Sequence, residues 1–178
     1  MLDIATAYNR YKFLGYEYLT WLWFAIENDP GNLQKGALTS GEGGKVHLGN
    51  RIVLENFTSD KPQSITIKGD DPDLEAALLF LKSGALVTEI NLVFKFNELE
   101  WHFTLKGDSL SITNLKMPQK GPVDTLEDTE GAVLEQAYLL EQLLQYHDFL
   151  FQKFIRLRVS SDWDKGFTLA FNKWLEAS

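Results

Sequence analysis

The sequence contains no cysteine, and this absence excludes several kinds of protein. A chain without thiols forms no disulfides, no thiolate zinc sites and no cysteine nucleophile. The three histidines, His47, His102 and His147, are also too few and too far apart to give a metal-ligand pattern. We therefore predict no metal and no cofactor, and the lack of thiols favours a reducing compartment, the cytoplasm.

Long hydrophobic runs are absent as well. The most apolar segment is uncharged only from Tyr18 to Ile26, whereas a helix needs about 20 apolar residues to cross a bilayer. The first residues include Asp3 and lack the basic start of a signal peptide. We expect a soluble protein with no membrane partner.

Positive charge is in short supply. The 178 residues carry 17 Lys and Arg against 25 Asp and Glu, a formal net charge of −8. Phosphate backbones and anionic lipids repel such a surface on average. A general nucleic-acid coat is therefore disfavoured, although a local basic patch is compatible with this composition.

Aromatic residues, by contrast, are abundant near the N-terminus. Residues 16–28 read YEYLTWLWFAIEN and predict a helix over 14–28, which ends at the breaker cluster after Asn28. A helix that is apolar on every face is either central in a core or shared with a partner. Both interpretations stay open, and we predict a homodimer to which this helix contributes. The residues concerned are Tyr18, Trp21, Leu22, Trp23 and Phe24.

Six short runs rich in β-branched and aromatic residues indicate strands. They span residues 46–48, 51–57, 64–68, 87–96, 99–106 and 109–115. Gly49 and Asn50 stand between the first two runs and predict a hairpin turn. Strands joined by such tight turns are antiparallel. The pattern predicts an antiparallel sheet of about six strands.

Further helices are predicted between and after the strands. One opens at Asp70 and closes near Gly84, and a long one covers about 130–158. The apolar stripe predicted for the long helix is Val133, Ala137, Leu140, Leu144, His147, Phe151 and Phe154. The stretch 161–164 resembles a capping box for a last helix that ends near Ala177.

This element order predicts one α+β domain over 1–178, in which the aromatic helix and the long C-terminal helix pack on the sheet. Three segments lie outside its regular structure. Residues 1–13 are a lead-in, residues 31–45 a mobile loop, and residues 117–129 an acidic linker.

Two sets of polar residues suggest chemistry, and each has a structural explanation. Asp70, Asp71, Asp73 and Glu75 could bind a divalent cation. Helix capping explains the same residues, so a metal-dependent hydrolase is only an alternative and we predict that the protein is not an enzyme. His147, on the apolar stripe, is interpreted as a core histidine with satisfied hydrogen bonds.

One basic cluster opposes the overall charge. Lys153, Arg156 and Arg158 lie at the end of the long helix, with no acidic residue from 152 to 161. Cations there complement the helix dipole, but they could also contact phosphate or an acidic partner. They are the candidate DNA-binding residues, with Arg10 and Lys12 possible neighbours.

Several segments together carry a resemblance to a known family. They are LGYEYLTWLWF (14–24), LGNRIVLE (48–55), DLEAALLFLKSGALVTEINLVF (73–94), WHFTLKGDSLSITNLKMP (101–118) and FLFQKFIRLRVSSDW (149–163). These segments resemble a divergent, larger bacterial branch of the RdgC family of recombination-associated proteins. The resemblance covers most of this chain but only about the C-terminal half of the family's longer members.

The resemblance implies a DNA-associated function. Members of the family bind duplex DNA without sequence preference, dimerise as a ring and restrain RecA-driven recombination. We therefore expect a non-enzymatic, nucleoid-associated protein that binds duplex DNA weakly. The net charge of −8 contradicts a cationic ring lining, so a protein–protein interaction module with no direct DNA contact is the alternative.

Overall fold

The computed structural model describes residues 4–34, 44–57, 63–69, 74–118 and 126–177. Within these ranges the side chains of 4–13, 74 and 126–129 are not described. The helices are α1 (Ile4–Asn28), α2 (Leu74–Lys82), α3 (Leu126–Arg158) and α4 (Thr168–Glu176), and the strands are β1 (Lys45–Asn56), β2 (Gln63–Lys68), β3 (Leu86–Phe96), β4 (Leu99–Lys106) and β5 (Ile112–Lys116).

The five strands form one antiparallel sheet in the order β2-β1-β3-β4-β5. The predicted α+β class is thus confirmed. The described residues contain five strands rather than six, because the predicted hairpin at Gly49 and Asn50 is a bulge inside β1. Both halves of β1 pair with β3, and the register shifts between Leu48 and Ile52.

One face of the sheet is packed by the helices. Alternate residues of β1, β3 and β4 point into a single core, which the residues of α1, α2 and α3 complete. The buried strand residues include Ile52, Leu54, Ile90, Leu92, Trp101 and Leu105. Because this core lies on one side only, the other side chains of the strands form an open face.

The aromatic helix lies in this core, as one of the two interpretations predicted. Tyr18, Trp21, Leu22 and Trp23 are buried, and Phe24 is half-buried with its ring edge-on to Trp174. Because α1 begins at Ile4, the predicted lead-in over 1–13 is wrong for residues 4–13.

Two small residues fix α1 against the sheet. Thr20 Oγ1 accepts the backbone N–H of Val87 at 3.0 Å and donates to the carbonyl oxygen of Tyr16 at 2.8 Å. This position explains the threonine within the otherwise apolar and aromatic stretch 18–26. Gly15 meets Gly107 in the turn after β4, and a Cβ on Gly15 would lie 1.8 Å from the carbonyl oxygen of Gly107.

The long helix differs from its prediction in two ways. It begins at Leu126, so residues 126–129 of the predicted linker are helical. Its buried stripe consists of Leu139, Leu143, Tyr146, Leu150 and Phe154. The first four residues of the predicted stripe are exposed instead. A stripe with seven-residue spacing drifts about 20° per heptad around a straight helix, so its N-terminal part turns away from the core.

The predicted loop and the last helix also need correction. Pro30–Leu33 form a short 3₁₀ helix, which Asp29 caps by accepting the N–H of Asn32, and β1 already begins at Lys45. Residues 35–43 lie outside the described part of the chain. At the C-terminal end, no side-chain hydrogen bond caps the π-helical turn (Trp163–Phe167) at Asp162 or α4 at Phe167, so the capping-box prediction is wrong. The π-helical turn leads directly into α4.

None of the helices, as far as their residues are described, is long and apolar enough to cross a membrane.

Candidate site on the open face of the sheet

The open face of the sheet carries polar side chains on every strand. The register pairs Glu89 with Lys106, Asn91 with Thr104, Val93 with His102 and Lys95 with Glu100 across β3 and β4. The partners of each pair point to the same side, and this side is opposite the buried Trp101 and Phe103. His102 therefore points away from Trp101 and Phe103.

This face concentrates positive charge in an acidic protein. Among the described residues, its cations are Lys45, Arg51, Lys68, Lys95, Lys106 and Lys116, and its carboxylates are Glu55, Glu89 and Glu100. The described part of this face thus carries six cations and three carboxylates, whereas the whole chain has more acidic than basic residues. We call these nine residues and their neighbours His47, Asn91 and His102 the open-face site.

Glu89 holds two of the cations in place. Arg51 Nη1 lies 2.7 Å from Glu89 Oε2, and Lys106 Nζ lies 3.5 Å from Glu89 Oε1. One carboxylate therefore balances two cations from the neighbouring strands. The group as a whole retains a positive charge and is fixed on the rigid centre of the sheet.

Glu100 makes a second group of this kind at the other end of β4. Lys95 Nζ lies 2.8 Å and His102 Nε2 2.7 Å from its carboxylate oxygens. The hydrogen bond from Lys95 is the main cause of a pKa of Glu100 below its ordinary value. The carboxylate is therefore ionised at neutral pH and orients both neighbours.

A concave surface that encloses a volume of about 470 Å³ lies at the centre of the site. Its lining consists of Leu48, Gly49, Asn50, Arg51, Asn91, Val93, His102, Thr104, Asn114 and Lys116. The bulge in β1 shapes this surface, because bulges bend a strand and redirect side chains. Gly49 is required there, since a Cβ at this position would lie 2.0 Å from Asn91 Oδ1.

Asn91 ties three strands together beneath the concave surface. Its Oδ1 accepts the backbone N–H of Asn50 at 3.2 Å, and its Nδ2 donates to the carbonyl oxygen of Phe103 at 3.0 Å. The side chain thus joins β1 to β4 across β3. These two hydrogen bonds hold the bulge in β1 in place without the help of a ligand.

Lys68 and Lys116 stand at the two edges of the sheet. Both side chains are exposed, and neither has an acidic partner within the described residues. Arg51 pairs with Lys68 and His102 with Lys116 in the strand register. Four strand spacings separate the edges, a distance on the order of 19 Å.

The predicted basic cluster on α3 does not form one free surface. Arg158 Nε lies 2.6 Å from Glu17 Oε2, and its guanidinium lies 4.9 Å from the centre of the Trp163 ring. Lys153 donates to the backbone and side-chain oxygens of Asn32. Of the three cations only Arg156 is exposed without a partner in the part of the chain that the structure describes. Arg10 and Lys12 lie where side chains are not described.

His147 contradicts the prediction of a satisfied core histidine. Its Nε2 is buried and has no hydrogen-bond partner among the described residues, and its ring lies edge-on to Tyr18 at 6.0 Å. Burial lowers the pKa of His147. The imidazole is therefore held in a place that disfavours its charged form.

Metal-binding geometry is not seen in the described ranges, where no three His, Asp or Glu side chains come together as a metal site. Asp70, Asp71 and Asp73 lie outside these ranges, and Glu75 is exposed in the first turn of α2. The expectation that the protein is not an enzyme therefore stays a prediction.

Sequence reasoning missed the open-face site although a signal for it was present. The alternate positions 102, 104 and 106 are His, Thr and Lys, polar residues of which two are basic, and alternate positions of a strand share one face. A count of the charged residues on each face of the predicted strands would have distinguished this basic face from the rest of the chain, which is acidic. The bulge that shapes its centre depends on pairing with β3, and no local signal predicts it.

No protein-family model matches the chain. Nor does any curated protein match it significantly.

Proposed function

We propose that this protein is a non-enzymatic, DNA-associated module that contacts the backbone of duplex DNA through the open-face site. One observation carries the proposal: the described strands place six cations and three carboxylates on the sheet face that the described helices leave uncovered. Lysine and arginine bind phosphates and release counterions from the duplex. The family resemblance agrees with this proposal, which includes association with the nucleoid.

The composition of the face favours contacts to phosphate over contacts to bases. No Phe, Tyr or Trp from the described strands points to this side, and stacking on single-stranded bases depends on such rings. The face belongs to a five-stranded sheet, which is wider than the α-helix or two-stranded ribbon that the major groove admits. We therefore propose binding without sequence preference.

Affinity should be low because the rest of the molecule is acidic. Three to five phosphate contacts give a salt slope of roughly −3 to −5 in a plot of log K against log salt. The net charge of −8 opposes the approach of the duplex. We expect binding that is measurable at about 50 mM salt and weak at physiological salt.

Charge reversal at the sheet edges tests the proposal. Lys68→Glu with Lys116→Glu alters two exposed cations, and Lys165→Glu with Lys173→Glu is a matched reversal at exposed positions near α4. In an anisotropy titration of a labelled duplex at about 50 mM salt, we expect the first pair to weaken binding at least tenfold and the second pair much less. Equal losses from both pairs would point to a non-specific charge effect and refute the assigned surface.

The earlier candidate surface is tested in the same titration. Arg156→Glu reverses the one cation of the α3 cluster that has no partner among the described residues, and it should change the affinity less than threefold. A larger loss from Arg156→Glu than from the open-face pair would return the DNA site to α3. No binding by the wild type would favour the alternative, an interaction module without direct DNA contact.

A further inference from the structure

A second surface, on the N-terminal half of α3, carries apolar residues that the described part of the chain leaves exposed. Val133, Leu140 and Leu144 are 61%, 38% and 49% exposed. With the exposed Ala137 they follow the spacing 4-3-4, which places them on one side of the helix. We call these four residues the α3 stripe.

The α3 stripe continues a seam that is already used inside the domain. The next positions of the same repeat are His147, Phe151 and Phe154, and all three rings pack against Tyr18 of α1. The C-terminal half of the seam therefore has a helix as its partner. The N-terminal half presents the same spacing with no helix of the described chain against it.

The charge beside the α3 stripe indicates which partner fits. From Leu126 to Tyr146 the helix carries five acidic residues and no basic one. Glu141 and Asp148, seven residues apart, flank the stripe and accept only amide hydrogens, from Gln145 at 3.1 Å and Gln152 at 2.6 Å. No described cation pairs with either carboxylate.

A second copy of this chain is a poor partner for this surface. Helix pairs are stabilised by opposite charges beside the apolar seam, and two α3 helices would bring carboxylates together in either orientation. A helix with lysine or arginine beside an apolar stripe would instead meet the carboxylates of Glu141 and Asp148.

From these observations we infer that the α3 stripe docks a basic amphipathic helix of another protein. Apolar residues of that helix would pack between Val133 and Leu144. Its cations would pair with Glu141 and Asp148. This surface is separate from the open-face site in sequence and in the elements that form it, so the inference does not depend on DNA binding.

The probe for this surface is a labelled 28-residue helical peptide with leucine at the seam positions and lysine beside them. Its control is the same peptide with glutamate in place of lysine. In an anisotropy titration with the full chain, we expect the lysine peptide to bind with a Kd on the order of micromolar and the glutamate peptide at least tenfold more weakly. Equal binding of both peptides, or no binding of the lysine peptide at 100 μM, on the order of a hundred times that Kd, would overturn the inference.

Variants locate the binding on the protein. Leu140→Glu with Leu144→Glu should weaken the lysine peptide at least tenfold, whereas Val159→Glu with Leu169→Glu changes two other exposed apolar residues and should weaken it less than threefold. Glu141→Lys should reverse the preference toward the glutamate peptide. If instead the wild type forms dimers that Leu140→Glu with Leu144→Glu abolishes, the occupant is a second copy and the inference is wrong.

Discussion

Arg158 of α3 and Glu17 of α1 form an ion pair in which Nε lies 2.6 Å from Oε2, across 141 positions of sequence. Glu17 is mostly buried in this pair, and the guanidinium also covers the Trp163 ring. The pair joins the start of the aromatic segment to the end of the long helix. It gives Arg158 a structural role.

Replacing Arg158 with alanine should therefore reduce stability without altering DNA affinity. Glu17 would lose its charged hydrogen bond, and the Trp163 ring would lose its cover, at a cost of about 1–3 kcal/mol. Urea denaturation measures the change. Arg156→Ala, an exposed position two residues earlier, is the control and should stay within about 0.5 kcal/mol. Equal stability of the two variants would contradict the role of the ion pair.

Thr20→Val should destabilise the protein although valine has nearly the same shape. The N–H of Val87 is buried and donates to Thr20 Oγ1, so its loss leaves an unpaired buried donor at a cost of about 1–3 kcal/mol. Thr20→Ser keeps the oxygen and should recover a large part of this loss. A valine variant as stable as the wild type in urea would show that this bond is not needed.

Gly15→Ala should be one of the most damaging single substitutions in the chain. Its Cβ would overlap a backbone carbonyl of the β4–β5 turn, which forces α1 away from the sheet and costs more than about 3 kcal/mol. Gly131→Ala is the matched control in α3, where nothing lies within 4 Å of an added Cβ. It should stabilise the protein by up to about 1 kcal/mol. Equal melting temperatures for the two variants would contradict the packing of α1.

Acid should destabilise the protein partly through His147. Burial lowers its folded-state pKa below the ordinary value of 6.5, so the unfolded chain takes up the proton first as the pH falls. The contribution of the neutral His147 to stability is therefore fully present above about pH 6.5 and is lost as the pH falls below that value. His147→Leu removes this contribution. We expect the difference in the free energy of unfolding between the wild type and this variant to decrease as the pH is lowered from 7 to 5. A difference that stays constant would refute this role of His147.

The homodimer predicted from the sequence stays a prediction. Tyr18, Trp21, Leu22 and Trp23 are buried in the core of their own chain, so their side chains offer little surface to a partner. Light scattering at tens of micromolar should give twice the chain mass of 20.3 kDa. Because we assign the α3 stripe to a helix of another protein, Leu144→Glu should leave this mass unchanged. A mass of one chain for the wild type would contradict the dimer.

The sequence predicted helices and strands well where short-range patterns define their ends. Strands β2, β3 and β4 lie within one residue of their predicted bounds, because period-two alternation and turn residues define them. The single β1 strand was missed for a physical reason. Gly49 and Asn50 have the same preferences in a hairpin and in a bulge, and only pairing of both halves with β3 distinguishes the two.

The candidate site was harder to predict because partners lie far apart in the sequence. Neighbouring cations on α3 suggested one cluster. Two of them instead donate hydrogen bonds to residues that are distant in the sequence, Arg158 to Glu17 and Lys153 to Asn32. The apolar stripe of α3 was placed too far around the helix, because leucines occur on two sides of it and periodicity alone does not select the buried one.

The central claim, that duplex DNA lies on the open face of the sheet, is tested most directly by nuclear magnetic resonance. The duplex is titrated at about 50 mM salt into protein labelled with nitrogen-15, and the backbone amide shifts are followed. The account predicts changes centred on β1, β4 and β5, around Arg51, His102 and Lys116, which Lys68→Glu with Lys116→Glu largely abolishes. Changes confined to the C-terminal end of α3 near Arg156, or none at any amide, would contradict it.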